Sequence, residues 1–573
     1  MRGPHPSCSA AAFLFVVVTA AHGQTVPPAT GAALPGLPPR DAARPPATGT
    51  ARIRGRASTP ETGAPLRRAQ ITLTAPEIGI RRVVTTDTQG RYEFADLPEG
   101  RYTISASKGG FVTLQFGQRR PFEPGRPVTV ADGQTLEHVD FTLPRGSAIT
   151  GHVMDEFGEP ITGVQVQVQR YTYLPGGQRR LMFAGAAGST DDRGEFRVFG
   201  LMPGEYIVST LVRGGFNFQQ GTGGANDAFE GYAPTYYPGT SSPAEAQPVA
   251  VALGQEVTLN LSLMAARMAR ISGTAVDSKG RPAADAFVTL MLRDGGGGMF
   301  VSNGRVTADG SFTLTNVAPG DVTLQVSVGP RAPGDPNENG RVPLTVTGAD
   351  ITGVRITTSP GATVTGTVVF EGTSPRTGDP TPRIYVQSTG PNEPMFFNSD
   401  QSNGLIADDG SVQVKNIGPG EILFRATTPP AWTLKSVTLN GDDVTDVPTT
   451  IAESARPGTL KVVLTDRVTD VSGTVASSRG EPLKDYVVIV QPAEAKEGTA
   501  ATRYVRTARP DQQGRFRVHA LPPGRYLAAA VESLEQGREW DPEFSRRVRE
   551  SGTSFTLAEG QTLTVSLKLA SFQ

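Results

Sequence analysis

The sequence predicts an all-β chain of tandem β-sandwich domains, five of them, joined like beads on a string. Three observations lead there. One phrase of turn, strand and tight turn recurs five times in 573 residues; the flanking segments alternate apolar and polar residues with period two; no helical period is sustained.

The phrase is fullest at Asp511, DQQGRFRVHALPPGRY, with copies DTQGRYEFADLPEGRY from Asp87 and DRGEFRVFGLMPGEY from Asp192. Shorter forms are DGSFTLTNVAPGDV from Asp309 and DGSVQVKNIGPGEI from Asp409. Asp511 and Gly514 bracket a polar turn, in which Asp can bond its own backbone and Gly accepts positive φ. Phe516 and Val518 alternate with Arg515 and Arg517, as in a half-buried strand. Pro523-Gly524 suits a type II turn with the glycine at its left-handed corner, and Tyr526 opens the next strand. In the first copy Glu99 replaces the proline, but Gly100 is kept.

A second phrase precedes each copy. It reads ITGHVMDEFGEP from Ile149, ISGTAVDSKGRP from Ile271 and VSGTVASSRGEP from Val471, with looser forms from Ile53 and Val364. Each is a strand followed by a Gly/Pro turn. A third phrase closes most units, VTVADGQTLEHVDFTL from Val128, VAVALGQEVTLNLSL from Val249 and FTLAEGQTLTVSLKL from Phe555, and reads as a hairpin around a Gly-Gln corner. The copies lie roughly 90 to 120 residues apart, the size of a whole domain rather than of a solenoid repeat. The expected boundaries are 51–146, 147–267, 268–358, 359–466 and 467–573. Within the last, WDPEFSRRVRES from Trp540 has an early proline and apolar Phe544 and Val548 four apart, which predicts a short helix over an edge or end of that sandwich.

Ahead of the domains, residues 1–23 read as a signal peptide. Arg2 supplies positive charge, AAAFLFVVVTAA from Ala10 is an apolar run too short to span a bilayer comfortably, and Ala21-His22-Gly23 is a cleavage site. Residues 24–50 are rich in Pro, Ala and Gly and read as a disordered spacer. The expectation is an exported protein, periplasmic, outer-surface or extracellular, with no transmembrane span. The single cysteine, Cys8, lies in the leader, so the sandwiches rely on their cores alone. The net charge of −1 gives no general attraction to nucleic acid. The 67 glycines and 47 prolines are spread over turns, as many short strands require.

Residues for catalysis are not apparent. His138, His152 and His519 are scattered over separate units; HExxH, GxSxG and phosphate-loop motifs are all missing. The acidic stretch NGDDVTD from Asn440, with Asp442, Asp443 and Asp446, lacks the alternation of a calcium loop and reads as a polar turn. The basic stretches at Gly117 (GQRRPF) and Gly176 (GGQRRLMF) read as loop arginines. No cofactor or metal is implied. Aromatic residues gather in the second unit: Tyr171, Tyr173, Phe216, Phe218, Tyr232, Tyr236 and Tyr237. Rings on loops of a sandwich are surfaces on which sugars stack, and they are equally able to plug the end of their own domain.

The phrases resemble the carboxypeptidase regulatory-like domain, whose signature of G-x-V, G-x-P, D-x-x-G-x-F/Y and L-x-P-G-x-Y is matched in the second unit by Gly151, Val153, Gly158, Pro160, Asp192, Gly194, Phe196, Leu201, Pro203, Gly204 and Tyr206. The resemblance implies a transthyretin-like or Ig-like sandwich of seven strands, grouped with carbohydrate-binding-like folds. A zinc carboxypeptidase domain is missing, so the family name implies no activity here. Related pilus-type sandwiches carry Lys–Asn cross-links; eight lysines against 46 arginines argue against them in this chain. The functional expectation is a non-enzymatic binding protein of the cell envelope with a polysaccharide as ligand. Its rival is a structural spacer, or an accessory module for an envelope protein.

Overall fold

The computed structural model describes residues 48–570, except 186, 212–229, 294–299, 331–334, 377–379, 390–402, 453–457 and 495–500. The signal peptide, nearly all of the spacer, and Phe216 and Phe218 lie outside the described residues.

The chain is all-β, in tandem sandwiches. The last shows the plan. Asp470–Ala476 is the centre of a three-stranded sheet, antiparallel to Arg515–His519 and parallel to Thr562–Lys568. Facing it, Arg506–Ala508, Val487–Pro492, Gly524–Val531 and Thr553–Leu557 form a four-stranded sheet in that order. Val471, Val475, Val488, Val490, Phe516 and Tyr526 fill the space between. The plan recurs around the first strands Ala51–Ser58, Ser147–Met154, Ala269–Val276 and Ala362–Glu371, each with its own core cluster. The fourth sandwich adds Thr433–Leu439 beside Thr459–Thr465. There Trp432 is buried edge-on against Phe370, ring centroids 4.9 Å apart.

The recurring phrase is an arch from one sheet to the other, since its two strands pair in different sheets. At its start an Asp carboxylate accepts two backbone N–H groups: Asp87 from Gln89 and Arg91, Asp511 from Gln513 and Arg515, all at 2.8–2.9 Å. In the second copy this residue is Asp191, which accepts from Arg193 and Glu195 at 3.0 and 2.8 Å. The match at Asp192 is therefore corrected by one residue; Asp191 stands three before Gly194, as Asp511 does before Gly514. The left-handed corner also sits elsewhere than expected. Asp96, Gly200, Asn316, Asn416 and Ala520 take φ between 54° and 79°, four residues before the glycine assigned that role. Asp, Asn and Gly tolerate this conformation best; only Ala520 departs. Gly320 and Gly420 instead adopt φ of 147° and 129°. Beyond the corner, Tyr102, Tyr206 and Tyr526 fasten the arch, each hydroxyl donating to the carbonyl four residues back, on Pro98, Met202 and Pro522, at 2.5–2.6 Å.

The closing phrase is likewise an arch, not the expected hairpin. Thr553–Leu557 belongs to the four-stranded sheet, and Thr562–Lys568 crosses to pair parallel with the first strand. Its Gln clamps the crossing: the side-chain oxygens of Gln134, Gln255 and Gln561 accept from the N–H of Ala131, Ala252 and Ala558 at 2.7–2.9 Å.

The glycine of the second phrase is what lets this last strand in. A Cβ on Gly151, Gly273, Gly366 or Gly473 would overlap a carbonyl oxygen of the parallel final strand, on Leu259, Val354, Leu460 or Val565, and one on Gly55 would overlap that of Val139, between the two short parallel strands of the first sandwich. In three of these sandwiches the aromatic ring of the phrase (Tyr92, Phe312, Phe516) closes over the same glycine.

The expected helix spans Pro542–Ser551, with Asp541 as N-cap accepting from Glu543 at 2.9 Å. Phe544 and Val548 pack on Val487, Ile489, Ala529 and Val531. It thus covers the outer face of the four-stranded sheet rather than an edge or end, because that face is apolar and requires a cover.

Candidate functional site

The described candidate tyrosines of the second unit, Tyr173 apart, divide between two apolar clusters around its six-stranded sheet. Tyr236, 3% exposed, packs with Leu181 and Ile207. Tyr171 lies half-buried against them, its hydroxyl donating to the Pro243 carbonyl at 3.1 Å and the Arg179 guanidinium 4.3 Å from its ring centroid. Tyr232 and Tyr237 are half-buried against the core. Tyr173 is half-buried at the strand end. The expectation of an open ring is therefore corrected at Tyr236: Thr235–Tyr236 pairs as a strand beside Gly204–Leu211, and the ring packs on Ile207 and Leu181 of the same sheet.

The acidic stretch resolves into two separate roles. Asp443 accepts from the backbone N–H and hydroxyl of Thr445 at 2.9 and 2.5 Å, a local turn bond. Asp446, nearly buried, lies 3.5 Å from Arg425 and 3.4 Å from Arg503, and accepts from the Tyr504 hydroxyl at 2.9 Å. The countercharge is thus arginine, and it joins the fourth sandwich to the fifth. Burial pushes the Arg425 guanidinium down, partly offset by Asp446. Among the described residues no group of three or more His, Cys, Asp or Glu is placed to hold a metal.

His152 lies 3.6 Å from Glu195, and His519 lies 3.2 Å from Asp470, which Arg517 also grips. Burial pushes the Asp470 carboxyl up, but the bonds from His519 and Arg517 outweigh it and hold it down to about 2. A carboxyl depressed on folding adds stability above its ordinary pKa and loses it as pH falls toward the folded value. The thermal midpoint of the fifth sandwich should accordingly drop between about pH 4 and pH 2. Asp470→Asn should flatten that part of the profile; an unchanged acid limb in the variant would assign the loss to other carboxylates.

A larger constellation joins sandwiches distant in sequence. The stretch GQRRPFEPGRP from Gly117 leaves the first sandwich and lies against the second and fifth. Arg509 reaches into it, with Glu123 and Asp485 each 2.6 Å away, and the Arg509 and Glu123 side chains are 2% and 4% exposed. Around this pair, Arg119 meets Asp485 at 2.8 Å, Arg120 meets Glu532 at 3.0 Å and Arg126 donates to the Lys484 carbonyl. Gln512 and Thr129 bond reciprocally, side-chain amide to backbone, at 2.6 and 3.1 Å. The Phe122 ring packs edge-on to Tyr206 of the second sandwich, with the Arg170 guanidinium 3.6 Å from its centroid; Arg170 in turn pairs with Glu535 at 2.8 Å. The string is thus not an open line: the fifth sandwich returns to the first. Reading these arginines as simple loop residues missed the joint, because both partners lie hundreds of residues away. One signal was present. Arg509 stands five residues before Gly514, where the first two copies carry Thr85 and Ser189.

Residues 52–144 match the family model of the carboxypeptidase regulatory-like domain. That span is the first sandwich, from its first strand to the end of its core. Among solved structures, the chain is similar to the Bacillus anthracis TIE protein at 13% identity, covering 71% of this chain and 72% of that one with a TM-score of 0.15. It is similar to the minor pilin GBS52 of Streptococcus agalactiae at 14% identity, covering 37% of this chain and 95% of that one with a TM-score of 0.20. A streptococcal ancillary pilin aligns at 13% identity, over 54% and 99% of the two chains, with a TM-score of 0.19. No curated protein matches the chain.

Proposed function

We propose that this chain is an exported, non-catalytic structural protein of the cell envelope, in which five modules with the bounds 51–146, 147–267, 268–358, 359–466 and 467–573 act as one jointed body. The observation that carries this reading is the use made of the repeated residues. The turn aspartates bond backbone N–H groups, the strand glycines admit a neighbouring carbonyl, the arch tyrosines bond the carbonyl four residues back, and the corner glutamines clamp a crossing. Repetition of this kind serves the backbone. The charged residues peculiar to single copies, such as Arg509 and Asp446, hold one sandwich against another.

Polysaccharide binding is the second reading, and it rests on Tyr171 and Tyr173, half-buried and two apart on one strand. A glycan array with the full chain separates the two. The structural reading expects no retained glycan. Retention by the wild type that is lost in Tyr173→Ala, with the melting midpoint unchanged, would establish sugar binding instead. Aromatic contacts of this kind are worth about 1 kcal/mol, enough to be read as a several-fold loss.

A further inference from the structure

Beside the Arg509 pair, the first and fifth sandwiches enclose a cleft of about 350 Å³. Arg101, Arg506, Arg509, Arg517 and His519 line it, with Glu77 as the acidic residue on its wall. Two of these arginines are already neutralised, Arg509 by Glu123 and Asp485, and Arg517 by Asp470. The other two are not. Arg101 donates to the Arg509 carbonyl at 3.0 Å, and Arg506 to the carbonyls of Thr502 and Val505 at 2.9 Å; among the described residues neither has a carboxylate within ion-pair distance. Burial pushes both guanidiniums down; Glu77 and Asp511 pull Arg101 back only in part.

Partly burying a guanidinium with only carbonyl acceptors is unfavourable, and each has a further like charge nearby, Arg517 beside Arg101 and Arg503 beside Arg506. Each retains N–H donors in the planar fork that suits an oxyanion. The volume accommodates one such group with a small body attached. We propose that this cleft is an oxyanion site, for a sulfate, phosphate or carboxylate group, whose ligand bridges Arg101 of the first sandwich and Arg506 of the fifth. Because both walls are needed, binding favours the closed joint by mass action.

The test uses the full chain, with sodium sulfate, sodium phosphate and the sodium salt of methyl glucuronide as probes, each against sodium chloride at matched ionic strength. Thermal midpoint and titration calorimetry are the readouts. A saturable rise in midpoint is expected, with an apparent Kd at least tenfold weaker in both Arg101→Gln and Arg506→Gln, and unchanged in Arg355→Gln on the exposed face of the third sandwich. Circular dichroism confirms folding, and the Arg506→Gln arm decides the matter if Arg101→Gln does not fold. Preference for the inorganic anions points to free phosphate or sulfate, and preference for the uronate to an acidic glycan; either supports the site. The site is overturned if no probe exceeds chloride, or if both variants bind as the wild type does.

Discussion

Arg509→Ala is expected to lower stability by about 3–5 kcal/mol, the cost of removing one partner from a buried ion pair. The side chain is 2% exposed and holds two carboxylates, of which Glu123 is 4% exposed and Asp485 partly covered. Truncation leaves Asp485 with only the exposed Arg119 and Glu123 with no cation, its remaining bonds being long ones from the backbone N–H groups of Arg119 and Arg120, at 3.4 and 3.3 Å. The surrounding pairs cannot compensate. Arg119, Arg120 and Glu532 are all largely exposed, and an exposed pair contributes at most about 1 kcal/mol. The loss should fall on the joint rather than on a core, since Arg509 lies outside the fifth core cluster. The earliest transition in urea should therefore move to lower denaturant, and X-ray scattering should report a larger radius of gyration while β circular dichroism persists. Glu123→Gln should act in the same direction but less, because the amide oxygen still accepts from the guanidinium. A variant with wild-type transitions and unchanged scattering would mean that the joint contributes nothing to the resting arrangement.

The contrast between what the sequence made legible and what it hid follows from the range of the interactions. Period-two alternation and turn chemistry are local, so the sandwiches and the helix at Phe544 and Val548 could be read directly. Which sheet a strand enters is not local. Thr553–Leu557 and Thr562–Lys568 are separated by a corner that would suit a hairpin, and only the carbonyl pressed against Gly473 shows that the second of them crosses over. The left-handed residue of the arch was misplaced for a related reason. A Pro-Gly pair is the stronger turn signal, yet the strain falls on Asn316 or Asp96, where the chain leaves one sheet. Charge was harder still. Asp446 read as part of a polar turn and Arg119 and Arg120 as loop arginines, but each has a partner in the fifth sandwich, and no spacing rule reaches from residue 123 to residue 509. The tyrosines fell between these cases. Their gathering was visible, while the pairing of Thr235–Tyr236 beside Gly204–Leu211, which sets Tyr236 against Ile207 and Leu181, is set by contacts no local pattern shows.

Gly473→Ala should be the most damaging single-methyl change in the fifth sandwich, at about 3 kcal/mol, the upper part of the range for overpacking. The glycine lies at the centre of the first strand, paired antiparallel with Phe516 and parallel with Val565. The new Cβ would overlap the Val565 carbonyl oxygen and approach the Phe516 ring at 2.9 Å. Backbone cannot swing away as a flexible side chain can, so the final strand must retreat, and Thr562–Lys568 loses its parallel ladder to the first strand along with the packing of Leu567. Gly480→Ala supplies the comparison. It sits at φ 85° with nothing within 4 Å of a built Cβ, so only the left-handed conformation is penalised, at about 1–2 kcal/mol. The same ordering should hold for Gly366→Ala against Gly441→Ala in the fourth sandwich; a Cβ at Gly366 overlaps the Leu460 carbonyl, whereas one at Gly441, at φ 97°, meets nothing within 4 Å. Denaturation midpoints of the four variants decide the point. Equal losses at Gly473 and Gly480 would show that the second phrase keeps its glycine for turn geometry nearby, and that close approach of the last strand does not govern the fold.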